Sequence, residues 1–137
     1  MIAALDMFRA LGDPTRLRIV HLLRAMELAV GEIAQVVGQS QPRVSRHVRI
    51  LAEAGLVERR KEGNWVFLRL PRTPAVAPFL TLFDQLAPSE GEKLWQAADL
   101  ARLAAVRADL SSFASPDLVG LFTQFLAIVD TFAPPRK

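Results

Sequence analysis

The segment between residues 32 and 55 contains two short helix patterns joined by a tight turn, and it constrains the fold more than any other feature. The first pattern, Glu32 to Val37, ends at Gly38, which suits the left-handed backbone that often closes a helix. The second begins at Ser40, whose hydroxyl can cap free amides, and stops at Gly55. It runs from Gln41 to Ala54 and repeats Val44, Val48 and Leu51 on one face. The pattern predicts a helix-turn-helix unit.

Strand sequences follow this unit directly. Leu56 to Lys61 and Trp65 to Leu70 are rich in β-forming residues, and Glu62-Gly63-Asn64 between them is a turn sequence. Another helix is predicted before the unit, starting at Asp13-Pro14. An aspartate side chain can cap the free N–H groups of a first helical turn, and a proline in that turn has no N–H group that would lack a partner. Helix, turn, helix and hairpin in this order predict a winged helix.

The second half of the chain is predicted to be helical. Three prolines between residues 71 and 78 mark a junction, and Phe79 to Leu86 then carries an apolar stripe at helical spacing. A long helix is expected from Glu92 to Leu110, and Ser115-Pro116-Asp117 starts a last one. We therefore predict a mainly α fold with a β-hairpin wing, in which a winged helix-turn-helix region at 1–72 precedes a helical region at 73–137.

Charge is distributed unevenly between these two regions. Residues 1–72 contain twelve Lys/Arg and seven Asp/Glu, whereas residues 73–137 contain five and seven. A basic first region favours a polyanionic partner. The chain has no cysteine, which excludes disulfides, thiolate metal sites and thiol redox chemistry. We expect a cytoplasmic protein, because neither a signal peptide nor an apolar run of about 20 residues is present.

One face of the second helix of the unit is polar and cationic. Burial of its apolar face turns the opposite side chains outward, and arginine can bond guanine in a major groove while glutamine can bond adenine. Such a face is also compatible with simple solvation, but the turn before it and the basic hairpin after it favour contact with double-stranded DNA. The predicted DNA-binding residues are Ser40, Gln41, Arg43, Ser45, Arg46, His47, Arg49, Arg59, Arg60, Lys61 and Asn64.

Four residues could suggest other chemistry. His47 lies at the edge of the buried face and is expected to pack or to face a phosphate, and His21 is isolated, so no metal site is expected. Ser45 is not part of a nucleophile elbow, and no enzymatic activity or cofactor is expected. Trp65 is expected to pack within the wing, although an aromatic side chain near the tip could stack on a sugar.

The segments Phe8 to Ile19, Gln41 to Leu51 and Ala54 to Val57 closely resemble the ArsR/SmtB family of bacterial repressors. The resemblance covers roughly residues 5–72. It implies a homodimeric winged-helix repressor that binds a partly palindromic operator and is released by an inducer. It also implies that the dimer is formed by the first helix, near Ile2 to Leu11, and by the helix after the wing.

Other features of the family are absent. Metal sensors of the family use cysteines near the helix-turn-helix unit, or Asp/His pairs together with His/Glu after the wing. This chain has neither set, so the resemblance does not extend to metal sensing. Residues 39–47 and Asp99 to Asp109 are similar to regulators fused to methyltransferases that use S-adenosylmethionine. This likeness suggests S-adenosylhomocysteine as a small-molecule effector.

We therefore expect a transcriptional repressor with a non-metal effector or none. The alternative is a protein-interaction module that recruits a partner through its apolar C-terminal helices. That alternative depends on a stripe at helical spacing, which more often belongs to a core or a dimer seam. The stripe consists of Leu118, Phe122, Phe125, Val129 and Phe132.

Overall fold

The computed structural model of the chain describes residues 4–111, with side chains as far as residue 108. The chain divides into two compact units, Met1–Ala87 and Pro88–Lys137. The first unit contains helices α1 (Ala4–Leu11), α2 (Pro14–Ala25), α3 (Val30–Val37), α4 (Gln41–Glu53) and α5 (Ala77–Gln85), with strands β1 (Leu28–Ala29), β2 (Glu58–Glu62) and β3 (Trp65–Arg69). The second unit contributes α6 (Glu90–Ser111). The fold is a winged helix-turn-helix, mainly α with a β-hairpin wing, as predicted.

The helix starts follow from local sequence. Asp13 accepts a hydrogen bond from the Arg16 amide at 3.1 Å, so α2 begins where the Asp-Pro pair predicts. Ser89 and Glu92 form a reciprocal capping box at the start of α6, with amide-to-side-chain distances of 3.1 and 3.3 Å. This box places the start of α6 two residues before the predicted one. The proline at position 78 lies in the first turn of α5, so it opens that helix and does not interrupt it.

The sheet has three antiparallel strands in the order β1, β3, β2. The strand β1 is only two residues long and was not predicted; it pairs Leu28 with Leu68, and both side chains are fully buried. The hairpin loop has two residues, because Glu62 pairs with Trp65, whereas three loop residues were predicted. Gly63 has φ 60° at the first loop position, a conformation that favours glycine.

The core of the first unit lies between α2, α3, α4 and the sheet. Large apolar side chains from each element are almost completely excluded from solvent, which is the main stabilising term for a domain of this size. The largest of them are Ile19, Leu22, Leu28, Ile33, Leu51, Leu56 and Leu68. Leu56 was predicted to open the first wing strand; it is instead a core residue that precedes β2.

The predicted last helix and the stripe from Leu118 to Phe132 lie outside the described residues. The predicted roles of residues 73–137 in dimerisation or effector binding stay predictions. No helix in the described part of the chain has the length and apolar character needed to cross a membrane.

Candidate nucleic-acid interface

Helix α4 has one buried face and one exposed face. Val44, Val48 and Leu51 are at most 1% exposed, so the helix is fixed to the core along this side. The opposite face is solvent-exposed and carries a glutamine, a serine and three arginines. Its members are Gln41, Arg43, Ser45, Arg46 and Arg49. We call these five residues the reading face.

The turn before α4 sets the start of this face. Gly38 has φ 70° and ψ 34°, a left-handed conformation that glycine adopts without strain and that ends α3. The Gln39 side-chain amide donates to the Thr15 hydroxyl at 2.9 Å and ties the turn to the start of α2. Ser40 accepts a hydrogen bond from the Arg43 amide at 3.4 Å, so the Ser40 hydroxyl serves as the helix cap. The start of the reading face is therefore held by side chains on both sides of the turn.

The three arginines of the reading face are exposed. Within residues 4–111, none of their guanidinium groups forms an ion pair with a carboxylate. The face itself contains no acidic residue. Guanidinium groups that lack an internal anion can bond guanine edges or phosphate oxygens.

His47 lies between the reading face and the core, and it is half-buried. Its Nδ1 atom is 3.3 Å from Nη1 of Arg16 in α2. Burial lowers the pKa of the His47 imidazole below its ordinary value of 6.5, Asp13 opposes this shift, and three nearby arginines reinforce it. A neutral imidazole can accept a hydrogen bond from Arg16, so His47 helps to orient α4.

The cations of the wing fall into two groups. Arg59 and Lys61 are exposed, and among the described side chains neither is paired with a carboxylate. Arg60 instead binds Glu27 through Nε at 2.8 Å and Nη2 at 2.7 Å, and Glu62 through Nη1 at 2.9 Å. These carboxylates raise the pKa of the Arg60 guanidinium. Alternate side chains of a strand point to opposite faces. Arg59 and Lys61 therefore stay available, whereas Arg60 between them binds carboxylates.

Glu27, which no sequence argument singled out, anchors the wing to the end of α2. Its carboxylate binds Arg60, and Nη1 of Arg69 lies 3.5 Å away. The hydrogen bond from Arg60 is the main reason that the pKa of Glu27 is lowered, so the carboxylate stays ionised at neutral pH. Arg69 also binds Glu58 across the hairpin. Both strands of the wing are therefore attached to one carboxylate.

The tip of the wing exposes polar and aromatic groups. Asn64 is exposed in the loop. Trp65 is 67% exposed and stacks on Phe67, with ring centroids 6.5 Å apart and planes inclined by 23°. Trp65 therefore packs within the wing through its contact with Phe67, two positions along β3, while most of its surface stays exposed.

The described residues contain no group of three or more His, Asp or Glu side chains arranged to hold a metal ion. The surface that they do present is a polar, cationic helix face beside a cationic hairpin. Such a surface can bind the phosphates and base edges of a duplex.

Comparison with known proteins places the chain in a family. The family model for bacterial regulatory proteins of the arsR family matches residues 13–59, from the cap of α2 into β2. The arsenical resistance operon repressor of Escherichia coli is 42% identical over 92 residues, which are 66% of this chain and 77% of that protein.

Two solved structures share the fold. HlyU from Vibrio cholerae is 33% identical, with a TM-score of 0.54 over 60% of this chain and 88% of that one. The homodimeric winged helix-turn-helix DNA-binding domain Mb0332 from Mycobacterium bovis is 32% identical, with a TM-score of 0.54 over 59% of this chain and 74% of that one. The chain described here belongs to the ArsR family of bacterial regulatory proteins.

Proposed function

We propose that the protein is a transcriptional repressor that binds a partly palindromic DNA operator as a homodimer. The reading face of α4 carries this proposal, because it combines three arginines that lack carboxylate partners in the described chain with a glutamine and a serine. The similarity to a named repressor from Escherichia coli supports the same function.

In this proposal the interface residues have two different roles. The reading face enters the major groove, while Arg59, Lys61 and Asn64 of the wing contact the sugar-phosphate backbone or the minor groove. Three further residues predicted to bind DNA support these groups through their internal contacts. They are Ser40, which caps α4, His47, which contacts Arg16, and Arg60, which binds Glu27.

Apolar side chains on α1 and α5 support a homodimer. Phe8 contacts Phe79 edge to face at 5.3 Å, so the two helices are neighbours within one chain. Leu5, Phe8 and Leu86 are each more than half exposed although they are large and apolar. A second copy related by a two-fold axis would cover this patch and place the two reading faces about 34 Å apart. Mb0332, which shares the fold, is described as homodimeric.

The effector, if the repressor has one, is proposed to be a small molecule and not a thiol-bound metal. The chain of 137 residues contains no cysteine and therefore cannot supply a thiolate ligand. S-adenosylhomocysteine, suggested by the resemblance to methyltransferase-linked regulators, is one compound to test.

The test is footprinting of DNA upstream of the protein's own gene at several salt concentrations. We expect a palindromic footprint with half-sites one helical turn apart. Arg46→Ala should weaken specific binding by about 1–3 kcal/mol, roughly 5- to 150-fold, if Arg46 bonds a base. Lys93→Ala, which removes one charge from α6, is the control and should bind as wild type.

Two outcomes would count against the proposal. An absence of protection above non-specific binding would overturn it and favour the interaction module. An unchanged footprint with Arg46→Ala would show that the reading face is not docked as described.

A further inference from the structure

A cavity of about 380 Å³ lies in the first unit, away from the reading face. It is formed by the end of α2, the end of β3 with the residues after it, and α5. Small-molecule sites commonly enclose roughly 300–1,000 Å³. The cavity therefore has room for a small organic ligand. Its lining consists of Leu23, Arg24, Ala25, Met26, Glu27, Arg69, Leu70, Arg72 and Leu80.

One part of the lining is apolar. Leu23 is buried, and Met26, Leu70 and Leu80 are half-buried, so they present hydrocarbon surface to the cavity. Covering this surface with an apolar ligand group would remove it from water, which is favourable in proportion to the area covered.

Among residues 4–111, the charged part of the lining has one cation without a carboxylate partner. Glu27 and Arg69 belong to the network that anchors the wing, and Arg24 binds Asp84 at 2.7 Å. Arg72 is exposed, and no carboxylate among residues 4–111 pairs with it. The Arg24–Asp84 pair is itself solvent-exposed, and such pairs contribute little, so an incoming anion can compete with Asp84.

We propose that this cavity binds an organic monoanion with a short apolar body. Arg72 would hold the carboxylate, with Arg24 beside it, and the apolar body would cover Leu23, Met26 and Leu80. A single negative charge is favoured because, within the described chain, only one lining cation lacks an anion. A cationic ligand is disfavoured because Glu27 is already bound by two guanidinium groups.

The position of the cavity gives this ligand a regulatory consequence, and that part rests on the proposed function. The lining joins α2 of the DNA-binding unit, strand β3 of the wing and helix α5 of the proposed dimer interface. A ligand that draws Arg24 away from Asp84 would remove one of the contacts between α2 and α5 and alter the spacing of the two reading faces.

Isothermal titration calorimetry of the full chain with octanoate tests the site directly. We expect saturable binding of octanoate, and weaker binding of 1-octanol and octylamine, which have the same chain without the negative charge. Arg72→Gln should lower octanoate affinity about 10-fold, as expected for removal of a charge-assisted hydrogen bond. Leu80→Ala should also lower octanoate affinity, because it removes part of the apolar surface that the ligand covers. Lys93→Gln removes a charge outside the cavity and should leave the affinity unchanged.

Absence of octanoate binding would overturn the site, as would equal affinity for 1-octanol or unchanged affinity in Arg72→Gln. DNA binding is measured separately without octanoate, where Arg72→Gln should match wild type. If the unligated chain fails to bind its upstream DNA, the proposed function is overturned. The calorimetry still shows whether the cavity binds octanoate. Octanoate binding without any effect on DNA affinity would overturn the regulatory consequence alone.

Discussion

Arg16 joins helix α1 to helix α4 through His47. Nη1 of Arg16 lies 3.3 Å from Nδ1 of His47, while Nε donates to the Ala10 carbonyl at 2.6 Å and Nη2 to the Arg9 carbonyl at 3.4 Å. The last two bonds go to carbonyls in the final turn of α1, where the Arg9 carbonyl also accepts from the Gly12 amide at 3.3 Å. One guanidinium therefore fixes the end of a proposed dimer helix relative to the helix that presents the reading face.

The first prediction concerns the pH dependence of this contact. Because burial lowers the pKa of His47 in the folded state below 6.5, the unfolded chain binds a proton more readily. The contribution of the neutral imidazole to the free energy of unfolding should be complete above pH 6.5. It should decline as the pH falls from 6.5 towards the lowered pKa of the folded state. Urea unfolding at about pH 7.5 and 5.5 should show a smaller loss of stability for His47→Gln than for wild type. An identical loss in wild type and His47→Gln would contradict the prediction.

The second prediction concerns the anchor of the wing. Glu27→Gln removes the carboxylate shared by Arg60 and Arg69 but keeps the size of the side chain. Because these pairs are partly exposed, the free energy of unfolding at pH 7 should fall by no more than about 1 kcal/mol. The lowered pKa of Glu27 means that this contribution is complete above pH 4.5 and disappears on acidification.

Glu27→Gln should also weaken DNA binding, because the wing is no longer held against α2. The loss of binding free energy should exceed the loss of unfolding free energy. Glu62→Gln removes only the exposed partner of Arg60 and is the matched control. DNA affinity in a gel-shift assay should fall for Glu27→Gln and stay near wild type for Glu62→Gln. Equal affinities for both variants would exclude Glu27 as a positioning residue.

Local signals explain why so much of the reading face could be predicted from the sequence. Helix α4 starts at a capping serine, ends before Gly55 and buries residues at helical spacing, all within fifteen residues. These signals depend on neighbours along the chain, so α4 and its exposed side chains were predicted correctly.

The parts that were missed depend on contacts between distant residues. Arg60 meets Glu27 across 33 positions, and Arg16 meets His47 across 31. A run of basic residues contains no information about which member is neutralised by a distant carboxylate. Strand β1 was missed for a similar reason, since two residues show no periodicity and become a strand only by pairing with β3.

The third prediction separates phosphate contacts from base contacts. Lys61→Ala should reduce the slope of log K against log salt concentration by about 0.9 for each phosphate that the variant no longer neutralises, and by about twice that in a two-fold dimer. It should weaken binding to operator and unrelated DNA to the same extent, because a phosphate contact does not depend on sequence. Weakening confined to the operator would place Lys61 against a base. Fluorescence anisotropy over a salt series measures both quantities.

The fourth prediction tests the patch on α1 and α5. Leu82 is 38% exposed and lies one helical turn before Leu86 of the patch, so Leu82→Glu should leave the fold intact but introduce two charges into a two-fold interface. Sedimentation velocity should show a dimer for wild type and at least a 10-fold increase in the dissociation constant for the variant. Thr81→Glu adds the same charge at the neighbouring exposed position and should remain dimeric. A monomeric wild type, or a variant as dimeric as wild type, would show that this patch is not the dimer interface. If the patch is the interface, Leu82→Glu should also weaken operator binding, because a monomer can place only one reading face on a two-fold site.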